Sequence, residues 1–496
     1  MSTVEGKFLV QRRNVVLICV DQWRGDCFSG AGHPVVMTPY LDGWMRTGTR
    51  FARAYSATPS CVPARASLLT GLSQEHHGRI GYEDGVPWDY EVTLPSVLSA
   101  AGYQTQAVGK MHVFPERETV GFDDVELHDG YLHFVRNRYS DLTEADDYLP
   151  WLRERLGYEA DDFEHGVHCN SVVARPWDKP ESTHPTNWVT QRSIDFLRER
   201  DRERPFFLFA SYHRPHPPYD PPAWAFEQYV HQEMPDPPVG DWTDLWAEHA
   251  DSMSPTAAVA EYDPRVLQRA RAGYYGHMSH IDQQLNRLFH ELTATGAGSD
   301  TIICFVSDHG ELMGDHHLFQ KSLPYEGSAR VPFIISGPDV PAGVVNDDVV
   351  ELRDVMPTLL EAAGVGIPDD VDGRSVLSLV SDDDERVETW REYLHGEHTK
   401  FGQSIHYLTD GRHKYIWFSG SGREQLFDIA SDPDELHDLA PHRDHATVLA
   451  TWRNRLVAAL ANRPEEFVRD GALVAGRQVD DVLPFLRKRI ASRTPS

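Results

Sequence analysis

Four stretches of the chain run apolar almost without interruption and then turn abruptly polar. NVVLICVDQ (14–22) ends in Asp21 and Gln22, and TIICFVSDHG (301–310) ends in Asp308 and His309. PFFLFASYHRPH (205–216) ends in His213 and His216, and the weaker YQTQAVGKMH (103–112) ends in Lys110 and His112. Continuous apolar runs of this length predict strands buried on both faces, as in a parallel sheet covered by helices. TLPSVLSAAG (93–102), WVTQRSIDFLRERD (188–201) and GHMSHIDQQLNRLFHELTATG (276–296) predict the helical crossovers between them. Ligands of open α/β sheets bind beyond the carboxyl ends of the strands. Each of the four runs carries its unusual polar residues at that end.

Each residue also has a plain structural reading. A single Asp after a strand is most often a cap or a turn residue. His76-His77 and His316-His317 read as solvated loop, and Lys110 and Lys321, taken singly, as surface lysines. Convergence of the strand ends is what favours chemistry.

Composition narrows the class. With 496 residues there is room for a large core, and we expect a major unit over 1–380 and a smaller one over 381–496. The 47 basic and 76 acidic residues leave a net charge of −29. That argues against nucleic acid or an anionic membrane surface as a partner. The opening MSTVEGKFLVQRRNVVLICVDQ lacks the layout of a secretion signal, and no apolar run is long enough to span a bilayer, so the expectation is a cytoplasmic protein. Five cysteines at 19, 27, 61, 169 and 304 show no metal-binding spacing; Cys19 and Cys304 lie inside apolar runs as core residues.

Cys61 differs. It opens CVPARASLLTG (61–71), after the turn-prone SATPS. Only three residues separate it from Arg65, too few for a cysteine phosphatase loop. A thiol–histidine hydrolase is conceivable, since helix N-termini lower thiol pKa. At every fixed position, however, the stretch resembles the signature of the type I, formylglycine-dependent sulfatases of the alkaline phosphatase superfamily: Cys, any residue, Pro, any residue, Arg, four residues, Thr-Gly. In that family a formylglycine-generating enzyme oxidises the cysteine to an aldehyde whose hydrate is the nucleophile.

The resemblance extends from Asn14 to about Asp434. It implies an alkaline phosphatase-like α/β fold, a large, mostly parallel mixed sheet flanked by helices, with a C-terminal α+β subdomain. DGRHKYIWF (410–418) and EQLFDIASDPDEL (424–436) resemble the antiparallel sheet of that subdomain. It further implies that Asp21, Gln22, Asp308 and His309, together with residue 61, hold one divalent cation. Oxygen-rich ligands with one imidazole suit a hard divalent cation; the resemblance implies calcium, with manganese or another divalent metal as the alternative. Gly109-Lys110-Met111-His112 resembles the Gly-Lys-x-His element of the family, His216 its catalytic histidine and Lys321 its second sulfate-binding lysine.

These residue types suit sulfate ester hydrolysis. A cation polarises the sulfuryl oxygens, while Lys110 and Lys321 neutralise the sulfate. Asp308 accepts a proton from the attacking hydroxyl, His216 protonates the leaving oxygen, and the sulfated enzyme is then released with His112 as base. Arg65, one helical turn beyond residue 61, orients the hydrate. Phosphonate monoester or phosphodiester hydrolysis is the rival reaction, because related enzymes use similar metal pairs. Members of that branch replace the Lys-x-His pair by neutral residues, whereas Lys110 and His112 are both present. A catalytically dead binding protein is a third reading, against which stands the complete ligand set. Three loops rich in His, Tyr, Trp and Arg (76–90, 128–141 and 164–188) suit stacking on a sugar or aryl ring of the sulfate ester. The apolar tail after Pro464 packs either on the core or on a second subunit of a homo-oligomer.

Overall fold

The computed structural model describes residues 12–130, 138–380 and 390–493. The centre of the 128–141 loop and the start of the second expected unit lie outside these residues. The main sheet has eight strands: β1 (Asn14–Asp21), β2 (Gly48–Tyr55), β3 (Gln104–Gly109), β4 (Asp124–Leu127), β5 (Phe206–Pro215), β6 (Thr301–Ser307), β7 (Phe333–Ser336) and β8 (Val344–Glu351). Their order is β4-β3-β5-β1-β6-β7-β2-β8. All neighbours run parallel except the pairs of β7 with β6 and β2. The sheet is thus mixed and mostly parallel, as expected.

The unbroken apolar run of β1 has a direct cause. Val16, Ile18 and Val20 face one core cluster, and Val15, Leu17 and Cys19 the other. Successive side chains of a strand alternate between faces, and helices cover both. The helix Cys61–Thr70 (α1), with Leu94–Ala100 (α2), lies on one face; Pro185–Glu199 (α3) and Pro264–Ala294 (α4) lie on the other. Cys19 and Cys304 are fully buried core residues.

A second, antiparallel sheet holds β9 (Leu394–Lys400), β10 (Gln403–Thr409), β11 (His413–Phe418) and β12 (Glu424–Asp428), in the order β12-β11-β10-β9. Alternation again assigns the faces. Ile405, Tyr407, Ile416 and Phe418 join Tyr55, Ala57 and Tyr325 of the main body in one cluster. Leu408, Tyr415 and Trp417 pack under the helix Ala446–Leu460 (α5), where Leu449, Trp452, Leu456 and Leu460 line the covered side. Burial of each such side chain contributes about 1.5–3 kcal/mol.

Part of the tail packs on its own chain. Val482 and Leu486, at the start of the helix Pro484–Arg493 (α6), pack on Val86, and Arg487 pairs with Glu83 at 3.0 Å. The reading of the histidine pairs as solvated loop needs correction. His77 and His316 are buried, because Ser67 binds the His77 ring at 3.0 Å and His316 packs against Trp242 with ring centroids 4.6 Å apart. Among the described residues no helix is long and apolar enough to cross a membrane.

Candidate active site

Topology explains why the strand ends meet. β5 and β6 are the two neighbours of β1, and β3 lies beside β5. Their carboxyl ends therefore present Asp21-Gln22, His213 to His216, Asp308-His309 and Lys110 to His112 side by side. Gly109 makes the exit of β3 feasible: its φ is +99°, and a Cβ there would sit 2.0 Å from the Ser211 carbonyl oxygen. Gln22 and His112 take positive φ of 72° and 54° despite their side chains. Such strain concentrates at sites whose surroundings enforce it. At His112 the enforcement is visible, since Asp129 accepts the backbone N–H groups of Met111 and His112 at 2.8 and 2.9 Å.

Residue 61 arrives on a helix start. Ser60 is extended, Pro63 occupies the first turn, and Gly71 ends α1 with φ +68°. Every residue of α1 is buried, so the helix is a fixed mount. The Cys61 Sγ lies 3.2 Å from His309 Nε2 and 3.6 Å from Asp21 Oδ1. Ligand atoms of Asp21, Cys61, Asp308 and His309 all fall within 4.8 Å of one another. His309 Nδ1 donates to the Gly310 carbonyl at 2.9 Å, which turns Nε2 inward. The backbone N–H groups of Gln22 and His309 donate to Asp308 Oδ1 at 3.2 and 3.0 Å.

Cations flank these acids. The Lys110 ammonium pairs with Asp21 Oδ2, both fully buried. Arg65 Nε meets Asp308 Oδ2 at 3.0 Å, and its Nη1 donates to the Lys110 carbonyl (2.8 Å) and to Ser211 Oγ (2.9 Å). One guanidinium thus ties α1, β5 and β6 together in a fixed fork. Lys321 Nζ donates to Gln22 Oε1 and to His216 Nε2, each at 2.7 Å. Because Gln22 Nε2 donates to Glu311, its Oε1 is the atom left facing the centre. His112 Nε2 lies 3.4 Å from the Tyr82 hydroxyl. Nine of the ten residues expected from the sequence are thus linked contact by contact in one cleft, and His112, two residues beyond Lys110, meets Tyr82.

Electrostatics follow from burial and charge. Burial raises Asp21, but the Lys110 ammonium outweighs it and holds the carboxyl well below its usual range. Burial and Asp21 raise Asp308. Burial disfavours a charged His309, yet Asp308 and Cys61 carry it up to about 10. Burial and Lys321 hold His216 well below the usual imidazole value. The donor set, two fully buried carboxylates with an amide oxygen and an imidazole, fits a hard divalent cation.

A model of the sulfatase family matches residues 13–365, and one described as N-sulphoglucosamine sulphohydrolase, C-terminal, matches 314–462. The chain belongs to the sulfatase family. It is 46% identical over 474 residues to an arylsulfatase of Clostridium perfringens, covering 94% of this chain and 98% of that one. It is 30% identical to PehA, a multifunctional alkaline phosphatase superfamily protein of Trinickia caryophylli, over 89% of this chain and 95% of that one. Its fold is similar to the crystal structure of a phosphonate monoester hydrolase of Agrobacterium radiobacter, with a TM-score of 0.76 at 27% identity, 91% of this chain and 96% of that one being covered.

Sequence reasoning passed over several supports of this sulfatase site. Ser211 lies inside an apolar run, and Glu311 and Asp129 carry no spacing signal of their own. His398 comes from the second sheet, where its Nε2 lies 2.7 Å from Ser60 Oγ beside Cys61.

Proposed function

We propose that this sulfuric ester hydrolase cleaves a sulfate monoester through residue 61, oxidised from cysteine to formylglycine by a maturation enzyme. Asp21, Gln22, Asp308 and His309 would hold one divalent cation, calcium by the hardness of the donors, which when bound polarises the sulfuryl oxygens. The observation that carries this reading is the placement of residue 61: its side chain lies against Asp21 and His309, within the field of the Lys110 and Lys321 ammonium groups.

The residues of the chain then divide the work. Asp308 accepts the proton of the attacking hydroxyl at residue 61, and Arg65 holds that carboxylate in place. Lys110 and Lys321 balance charge on the transferring sulfuryl oxygens. His216 receives a hydrogen bond from Lys321 at Nε2, and its Nδ1 points to the Pro217 carbonyl at 2.9 Å, so the free-enzyme imidazole is neutral with its proton on Nδ1. The proton for the leaving oxygen is thus supplied by the Lys321–His216 pair, from Lys321 Nζ through or beside Nε2. His112 stands apart from that pair, against Tyr82, where it can take the proton of the second hydroxyl on release of sulfate.

Phosphonate monoester hydrolysis is the second reading, favoured by the structural similarity to such a hydrolase. Steady-state kinetics on 4-nitrophenyl sulfate and a phosphonate ester with the same leaving group separates the two. Matured enzyme should prefer the sulfate, and Lys110→Ala and His112→Ala should each cut its kcat/KM by about thirty- to a thousand-fold, the effect of losing about 2–4 kcal/mol of transition-state contact. Faster phosphonate turnover with both variants barely impaired would replace the sulfatase reading, and full activity of Cys61→Ala would remove the nucleophile.

A further inference from the structure

The turn between β9 and β10 brings one more cation to the cleft. Lys400 pairs in register with Gln403, leaving Phe401 and Gly402 as a two-residue turn with φ of +52° and +75°. Positive φ at both positions matches the twist of a hairpin, but the Cβ of Phe401 makes this conformation costly. Packing holds it: the Phe401 ring stacks on His249 with centroids 3.9 Å apart and planes 6° from parallel, and also contacts Trp246. The tip of the second sheet is clamped against the main body.

Lys400 lines a cavity of about 480 Å³ together with Tyr82, Ser322, His398, Asp480 and Asp481. Three of these residues connect the cavity to the catalytic centre. Tyr82 meets His112, Ser322 directly follows Lys321, and His398 binds the hydroxyl of Ser60. Of the two acids, Asp480 pairs with Arg487 (Nε at 2.8 Å), while Asp481 accepts a hydrogen bond from the neighbouring Thr399 hydroxyl. Among the described residues no carboxylate pairs with Lys400, and the charge it senses is the like-signed Lys321; burial and Lys321 bring its pKa down to about 8. The Lys400 ammonium lies over the Phe401 ring, 5.4 Å from its centroid, and a shielded ammonium in the field of a second one is stabilised when an anion enters.

We propose that this cavity is a substrate subsite in which Lys400 binds a second anionic group, such as a carboxylate, carried by the alcohol portion of the sulfate ester. The proposal rests on the reading of residue 61 as the centre of sulfate ester hydrolysis. It makes the second sheet a selector for doubly anionic esters, with Tyr82 and Phe401 as the apolar and aromatic walls of the same space.

The test uses matured full-length enzyme and two 4-nitrophenyl sulfates. Both carry a short alkyl arm on the ring, one ending in a carboxylate and the other in the isosteric neutral carboxamide. The arm insulates the leaving group, so the ratio of kcat/KM for acid over amide reports recognition of the charge. The wild type should prefer the acid, and Lys400→Met should lower the ratio at least fivefold, while Lys400→Arg should keep most of it. A smaller fall in Lys400→Met, with a melting transition confirming the fold, overturns the subsite, as does a wild-type preference for the amide. Failure of wild-type enzyme to cleave either compound, or plain 4-nitrophenyl sulfate, would instead count against the sulfate ester reading itself.

Discussion

Replacing Lys400 by methionine should make the folded protein more stable at pH 7. Its ammonium is charged in both the folded and the unfolded chain at that pH, but only the folded chain shields it and places it near Lys321. The displacement from the ordinary 10.5 to about 8 corresponds to about 3 kcal/mol at about 1.36 kcal/mol per unit. Lys400 is partly exposed to the cavity, so water screens part of this cost and the expected gain is about 1–2 kcal/mol. Methionine keeps the apolar stem and its contact with Phe401. The pH window follows from the sign of the shift. Between about 8 and 10.5 the unfolded chain binds more protons than the folded one, so wild-type stability gains from this group as pH rises. The advantage of Lys400→Met must therefore shrink across that window and vanish above it. Urea unfolding of both proteins at pH 7, 8, 9 and 10, compared as differences so that all other groups cancel, measures this directly. Equal or lower stability of the variant at pH 7, or a gain that stays constant to pH 10, would refute the picture of a shielded lysine without a counter-charge. Loss of selectivity alongside a gain in stability is the usual trade at a functional position.

Two further outcomes are expected. Asp21→Asn and Asp308→Asn should each weaken calcium or manganese binding by at least about a hundredfold in titration calorimetry while circular dichroism stays near wild type, because the core does not depend on that centre; undiminished binding in both would exclude the ligand set. Glu397, in β9, is fully buried and receives both Nη groups of Arg463 at 2.6 and 2.9 Å. Burial raises its carboxyl, but Arg463 outweighs burial and brings it from 4.5 to about 2. The stability it contributes is present above pH 4.5 and lost as pH falls toward 2. Glu397→Gln should cost about 3–5 kcal/mol at pH 7 in urea unfolding and should flatten the acid limb of the stability curve over that window, whereas an unchanged acid limb would show that this pair is not what titrates.

Much of the site could be read from the linear chain, because its parts are local. A buried parallel strand needs an unbroken apolar run, and the polar residue that ends it lies at the sheet edge where ligands bind; hence Asp21, Gln22, Asp308, His309, Lys110, His112 and His216 stood out by position. The turn-prone SATPS, Pro63 and Gly71 bounded the helix of Cys61 and Arg65, and that motif carried the family resemblance. The order of the strands was not readable. Adjacency of β1 with β5 and β6 comes from crossovers through α3 and α4, and it alone converts four separate strand ends into one cleft. The burial of His77 and His316 was likewise a tertiary matter, since a histidine pair in a polar loop looks the same whether water or Trp242 covers it. Glu311, Ser211 and Asp129 act by hydrogen bonds to residues distant in sequence or to backbone groups, and neither leaves a periodic trace. Lys400 is the clearest case. Within LHGEHTKFGQ it is an ordinary lysine before a turn, and only the docking of the second sheet on the main body shields it from part of its water, places it in the cavity wall and leaves it, among the described residues, without a paired carboxylate.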